Sequence, residues 1–189
     1  SLSQFFPAMW PARLNAALER IMNSSDVYWI KCVEPNRLAF GPRPRAGDWL
    51  PDEISAWAKS GVKHVVSLLE ASEVNELGLV EERQNCVASG MQFHSFAMPD
   101  RGLPASMEAA GSLIARLVSS VERGEPVFVH CRMGIGRSGL IAACVLLHLG
   151  VKFEEVFPLL TSTRGLQVPD TEAQVQWVKS YSIFIGGAL

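Results

Sequence analysis

Val127-Phe128-Val129-His130-Cys131-Arg132-Met133-Gly134-Ile135-Gly136-Arg137-Ser138-Gly139 is the stretch whose reading decides the fold. The short apolar run from Pro126 to Val129 has the length and composition of a buried strand. The chain then turns through two glycines into an apolar helical segment, Leu140 to Leu149. A strand, a glycine-punctuated loop and a helix, in that order, gather backbone N–H groups around a concavity at a helix N-terminus. Orphan amides and the helix dipole both favour negative charge there. Within the loop sit Cys131 and, six positions on, Arg137. The amides and Arg137 would stabilise a thiolate. The same groups would hold a doubly charged phosphate, with Arg137 able to fork onto two of its oxygens.

Composition sets the frame around this loop. At 189 residues the chain suits one domain with a real core. A net charge of −2 carries no global basic field, which argues against nucleic acid or an anionic membrane surface as partner. The cysteines at 32, 86, 131 and 144 show no metal-binding spacing. One of them needs a free thiolate, so a reducing compartment and a cytoplasmic location are expected rather than a disulfide framework. No stretch approaches the ~20 apolar residues of a membrane span, and the first residues lack the basic flank of a signal peptide.

Outward from the loop, the chain alternates strands with helices. Leu14, Leu18, Ile21 and Met22 give Trp10–Met22 a helical stripe, so residues 1–25 are expected as a helical extension packed on a catalytic domain over 26–189. Val27–Val33 and Leu38–Phe40 read as a hairpin broken at Glu34-Pro35-Asn36. Arg43 and Arg45 lie in a stiff Pro/Gly loop and could meet an anionic substrate, but two surface arginines are expected to be solvated. A helix from Asp52 to Ser60 precedes a β-branched run, Val62–Leu69, expected as a central strand. Ala71–Ser89 is polar and mostly helical or irregular, with Glu70, Glu73 and Glu76 read as a solvated face. Met91–Ala97 reads as a strand, 98–104 as a loop and Ala105–Val121 as an amphipathic helix presenting Leu113, Leu117 and Val121. Helices over Phe153–Leu160 and Asp170–Phe184 complete a single α/β domain with a central, mostly parallel sheet flanked by helices.

The run His-Cys-x-x-Gly-x-Gly-Arg-Ser-Gly, set between a strand and a helix, resembles the phosphate-binding loop of the protein tyrosine phosphatase superfamily. The likeness is strongest to its small dual-specificity members. The resemblance implies a tyrosine-phosphatase-like fold and a cysteinyl-phosphate intermediate. Cys131 is then the nucleophile and Arg137 the phosphate-binding arginine. Arg132, Met133, Gly134, Ile135 and Gly136 complete the substrate-binding loop. Of five aspartates, Asp100 alone follows a strand in a Pro/Gly-bounded loop. It matches the family's general acid, with Met98 where larger members carry Trp, and serves first as acid and then as base. Ser138 matches the hydroxyl that assists thiolate departure, its plain alternative being a helix N-cap. His130 matches the histidine that orders the loop. Gln174 matches the glutamine that positions the hydrolytic water, an exposed helical glutamine being nearly as good an account, and Asp170 and Thr171 read as helix caps. No cofactor or divalent metal is implied, because Arg137 and the amides neutralise the phosphate.

The expected activity is a cysteine-dependent phosphomonoester hydrolase acting on phosphotyrosine proteins, and on phosphoserine and phosphothreonine where the cleft admits them. Partners are therefore a phosphoprotein or a phosphorylated small molecule. Family members acting on a phosphoinositide or other non-protein substrate carry extra basic residues in the loop. Arg132 fits that pattern and Ile135 does not, so the loop keeps this alternative open without favouring it. A phosphoprotein-binding pseudophosphatase is disfavoured by the presence of nucleophile, arginine and acid together. Oligomeric state is not encoded in any motif.

Overall fold

The computed structural model describes residues 26–31 and 37–186. The expected N-terminal extension, Cys32 and the turn at Glu34-Pro35-Asn36 lie outside the described residues. Five strands form one sheet: β1 (Tyr28–Trp29), β2 (Leu38–Pro42), β3 (His64–Ser67), β4 (Gln92–Ser95) and β5 (Val127–Cys131), in the order β1-β2-β5-β3-β4. β1 runs antiparallel to β2, as the hairpin reading requires, and every other pairing is parallel. The middle place belongs to β5, whose Val129 lies beside Phe40 and Val66. The Val62–Leu69 run supplies β3, an interior strand but one place off the middle.

Alternation along these strands divides the core into two layers, because successive side chains leave a strand on opposite faces. Val127, Val129 and Cys131 join Leu38, Phe40 and Val66 on one face, whereas Phe128 joins Ala39 and Val65 on the other. The first face is covered by α4 (Met107–Glu122), α5 (Gly136–His148), α6 (Phe153–Arg164) and α7 (Glu172–Gly186). The second is covered by α1 (Leu50–Lys59) and α3 (Glu82–Ala88), which bring Ile54, Trp57 and Cys86. Both faces of β5 are thus dry, which is why all five of its residues are apolar or tightly partnered. α4 buries Leu113, Leu117 and Val121, the stripe visible in the sequence. α5 is buried from Gly136 through Leu146, so it has no solvent face and serves as the spine of the domain. A short helix α2 (Ala71–Glu76) sits at the C-terminal end of β3.

Two glycines let the β5–α5 loop fold tightly. Gly134 has φ +67°, and a side chain there would overlap the backbone of Gly41 and Pro42. Pro42 and Met133 form a β-bridge across this contact. β2 therefore braces the loop, and the loop opens at the C-terminal edge of the parallel strands, where open α/β sheets take their ligands.

Candidate active site

Cys131 ends β5 and is 2% exposed, at the floor of the loop. Its Sγ lies 3.3 Å from Ser138 Oγ. Ser138 is the third residue of α5, and Ile135 occupies the N-cap position without a side-chain cap. The hydroxyl is thus free of the capping duty that was its alternative reading, and it faces the sulfur.

Arg137, the second residue of the buried helix, is 1% exposed. A guanidinium at such depth needs partners. Its Nη1 donates to Glu73 Oε2 at 2.6 Å and to Met98 O at 2.9 Å, and its Nη2 donates to Glu73 Oε1 at 2.9 Å. The fork expected for the phosphate is therefore spent, on one edge, on Glu73. What remains toward the loop is Nε and the second Nη2 hydrogen, and the latter donates to Asp100 Oδ1 at 2.9 Å. The structure brings Cys131, Arg137, Ser138 and Asp100 together.

Glu73 corrects the reading of Glu70, Glu73 and Glu76 as a solvated face. It is 5% exposed and takes a third hydrogen bond, from Glu70 N at 3.0 Å. Burial pushes its carboxyl up, but the Arg137 and Glu70 hydrogen bonds and the charges of Arg137 and Arg132 outweigh that and hold it below its ordinary value. Arg137, in spite of its burial, is raised above its ordinary value by Glu73, Cys131 and Asp100. The pair is thus locked in its charged form. Glu76 stays exposed but pairs with Arg132, whose Nη2 lies 2.9 Å from Glu76 Oε1. The extra loop cation expected to reach a substrate is therefore neutralised by α2.

His130 points to the opposite face of the sheet from Cys131, as period-2 alternation demands. It is fully buried beside the rings of Trp57 and Phe128, and its Nε2 comes within 2.7 Å of the buried Glu82 Oε1. This buried pair stands directly behind the strand end that carries Cys131.

Arg164, the last residue of α6, reaches the loop from outside it. Its Nε donates to Gly134 O at 2.9 Å and its Nη2 to Met133 O at 3.1 Å, while the guanidinium lies 4.3 Å from the Tyr28 ring centre. Since each peptide unit is planar and trans, fixing these two carbonyls toward Arg164 turns the N–H groups of Gly134 and Ile135 the other way. Met133 itself is 61% exposed at the rim. The other two candidate cations are engaged elsewhere: Arg45 pairs with Glu53 and stacks on Trp49, and Arg43 donates to Pro44 O.

Gln174 is fully buried, not an exposed helical glutamine. With Thr171 it forms a reciprocal cap, Gln174 N donating to Thr171 Oγ1 at 3.2 Å and Thr171 N to Gln174 Oε1 at 3.3 Å. Its Nε2 donates to Gly102 O at 3.2 Å, tying the start of α7 to the Asp100 loop. Among the described residues, no cluster of three or more His, Cys, Asp or Glu is placed to hold a metal ion. No helix among them is long and apolar enough to cross a membrane.

This geometry meets its counterpart in known proteins. Residues 28–181 match the family described as the Swiss Army Knife protein, DSP-PTPase phosphatase domain. The chain belongs to the DSP-PTPase phosphatase family. Receptor-type tyrosine-protein phosphatase H of Homo sapiens is 37% identical over 84 residues, 42% of this chain and 8% of that protein. Cyclin-dependent kinase inhibitor 3 of Rattus norvegicus is 27% identical over 95 residues, 49% of this chain and 42% of that protein. The DSP-PTPase match thus spans less than half the length of either relative. Among solved structures, a kinase associated phosphatase with its catalytic-site cysteine changed to serine superposes with a TM-score of 0.77 at 18% identity, covering 86% of this chain and 97% of that one. PTPMT1 superposes with a TM-score of 0.70 at 17% identity, covering 86% and 97%. These structures share the fold of this DSP-PTPase domain.

Proposed function

We propose that the domain hydrolyses phosphomonoesters on proteins, phosphotyrosine first and phosphoserine or phosphothreonine where the side chain reaches, through a cysteinyl-phosphate. The observation that carries this reading is the convergence of Cys131, Ser138, Arg137 and Asp100 on one loop, with Arg137 held in place by Glu73. The phosphate enters the amide cradle of residues 132–136 and takes Arg137 by Nε and Nη2, displacing Asp100 from Nη2. Cys131 Sγ attacks phosphorus in line and the P–O bond to the leaving group breaks. Asp100, freed from Arg137 and carrying a proton, gives it to the leaving oxygen. Water then attacks phosphorus as its proton passes to a carboxylate, the role the family resemblance gives to Asp100. The P–S bond breaks with its electron pair returning to sulfur, and Ser138 Oγ donates to the departing thiolate. Arg137 and the amides stabilise charge in both transition states. Glu73 is a positioning residue, acting only through Arg137.

Protein substrates are preferred over phosphoinositides because Arg132, the extra cation of the loop, is paired with Glu76. A polyanionic headgroup would have to break that pair or meet Glu76. The lipid alternative has its own support in the likeness to PTPMT1, a structure of which was solved in complex with PI(5)P. A side-by-side assay of phosphotyrosine peptides, phosphoserine/threonine peptides and phosphoinositide vesicles tests the preference. Faster turnover of the peptides is expected, and faster turnover of the vesicles would overturn it.

A further inference from the structure

Asp170 was expected to cap α7, yet Thr171 and Gln174 do the capping between them. Asp170 is exposed, and among the described residues no hydrogen bond or ion pair holds its carboxylate. It packs instead on Gly136, the last glycine of the phosphate loop and first residue of α5. A methyl group added at Gly136 would collide with Asp170 Oδ2, and would lie 2.9 Å from Asp170 Cγ and 3.0 Å from Gln174 Nε2. A carboxylate and a buried amide thus converge on the N-terminal end of the helix that bears Arg137 and Ser138. The helix dipole favours a carboxylate in this place, but a bound phosphate repels one. An unpartnered carboxylate beside an anion site weakens phosphate binding unless a proton lies between the two groups.

We propose that Asp170 is a second catalytic carboxylate, the base that takes the proton from the water hydrolysing the cysteinyl-phosphate. The proposal rests on the phosphatase reading above and divides its second step differently. Asp100 bonds to Arg137 Nη2, the donor that must hold the transferring phosphoryl group. Asp170 has no such tie. Gln174 spends one Nε2 hydrogen on Gly102 O, and its other Nε2 hydrogen is the donor that would orient the attacking water beside Asp170. In the step, the water oxygen forms its bond to phosphorus and the P–Sγ bond breaks with its electron pair returning to sulfur. The water proton passes to Asp170 and is lost to solvent when phosphate leaves.

The test is rapid-quench hydrolysis of para-nitrophenyl phosphate by wild type, Asp170→Asn and Asp170→Glu. For Asp170→Asn the expected result is a burst of one nitrophenolate per active site at the wild-type rate, then a steady state slower by about tenfold or more. Acid-quenched Asp170→Asn enzyme should carry a phosphoryl group on Cys131, and Asp170→Glu should recover part of the steady-state rate. A steady state equal to wild type with no burst would overturn the proposal. So would burst and steady state falling together, the signature of a merely structural role. If Asp170→Asn does not fold, Asp170→Ser is put through the same assay. Turnover that survives Cys131→Ser would instead defeat the phosphatase reading, and this proposal with it.

Discussion

Arg137 Nη2 donates to Asp100 Oδ1 at 2.9 Å, so the carboxylate assigned to the leaving group rests on a donor assigned to the phosphate. The two roles are exclusive in this conformation, and an incoming oxyanion must release Asp100 as it binds. The side chain of Asp100 is 58% exposed, so its release moves no core residue.

Asp100→Ala therefore separates binding from catalysis. Tungstate, a phosphate mimic, is expected to bind the variant more tightly, since nothing competes for Nη2. Turnover of a phosphotyrosine peptide is expected to fall by about a hundredfold for loss of the acid, and that of para-nitrophenyl phosphate by less, because nitrophenolate leaves without a proton. Calorimetry and steady-state kinetics on the same protein check both. Weaker tungstate binding would show that Asp100 is not a competitor.

Removing Glu73 leaves a buried guanidinium without its bidentate partner. Glu73→Ala is expected to cost about 3 kcal/mol, a fall in melting temperature of roughly 10 °C for a domain of this size. Acid sensitivity follows from the same pair. The folded-state pKa of Glu73 lies below its ordinary 4.5, so its stabilisation is full above that value and is lost as pH falls through the depressed one. Urea denaturation across the acid range should show this loss in wild type and not in Glu73→Gln.

A second, milder pH effect belongs to the far end of β3 and β4. His94 Nε2 lies 3.2 Å from His64 Nδ1, and His64 Nε2 lies 3.1 Å from Glu125 Oε2. Burial, then the charges of His64, Arg116 and Arg83, lower His94 below its ordinary 6.5. Burial lowers His148 too, against a small opposing effect of Glu122. Below pH 6.5 the unfolded chain takes up protons before the folded one, so stability present above that value is lost as pH falls toward the depressed pKa values. Melting temperature is expected to drop between neutral pH and about pH 5.5, and less steeply in His94→Gln, where His148 alone remains. Equal slopes would place the sensitivity elsewhere.

Arg164→Ala should release the Met133 and Gly134 carbonyls and loosen the amide cradle. Two hydrogen bonds from a charged donor, partly exposed, suggest about 1–2 kcal/mol, read as a KM for para-nitrophenyl phosphate raised by roughly tenfold. Arg164→Lys should not restore it, because a single ammonium lacks the fork that spans both carbonyls. An unchanged KM would reduce Arg164 to a surface anchor for Tyr28.

What was legible in the sequence was local. Cys131, the loop glycines, Arg137 and Ser138 fall within eight consecutive residues, where strand, turn and helix-start chemistry act over a few positions. Asp100, which the structure sets against Arg137, stands out in the sequence because Pro99 and Gly102 mark a loop after an extended run. Glu73 was missed because its partner is 64 positions away in sequence, and a polar segment with three carboxylates looks solvated until α2 docks over the loop. Two loop arginines, one destined for a buried helix, were the signal that counter-charges must exist somewhere. Glu82 escaped notice for the same reason as Glu73. The opposite error was made for Gln174, read as equally well exposed, because the reciprocal cap with Thr171 hides it beneath the Asp100 loop. β3 is interior, as its β-branched run suggests, but which strands flank it is a property of crossovers that hydrophobic runs do not encode.

The most direct measurement is hydrolysis of para-nitrophenyl phosphate by wild type and Cys131→Ser in the presence of a chelator. Turnover in wild type that disappears in Cys131→Ser, with tungstate binding retained in the variant, is the expected result. Turnover that survives in Cys131→Ser, or a wild type that neither turns over nor binds the oxyanion, would contradict the assignment of the loop.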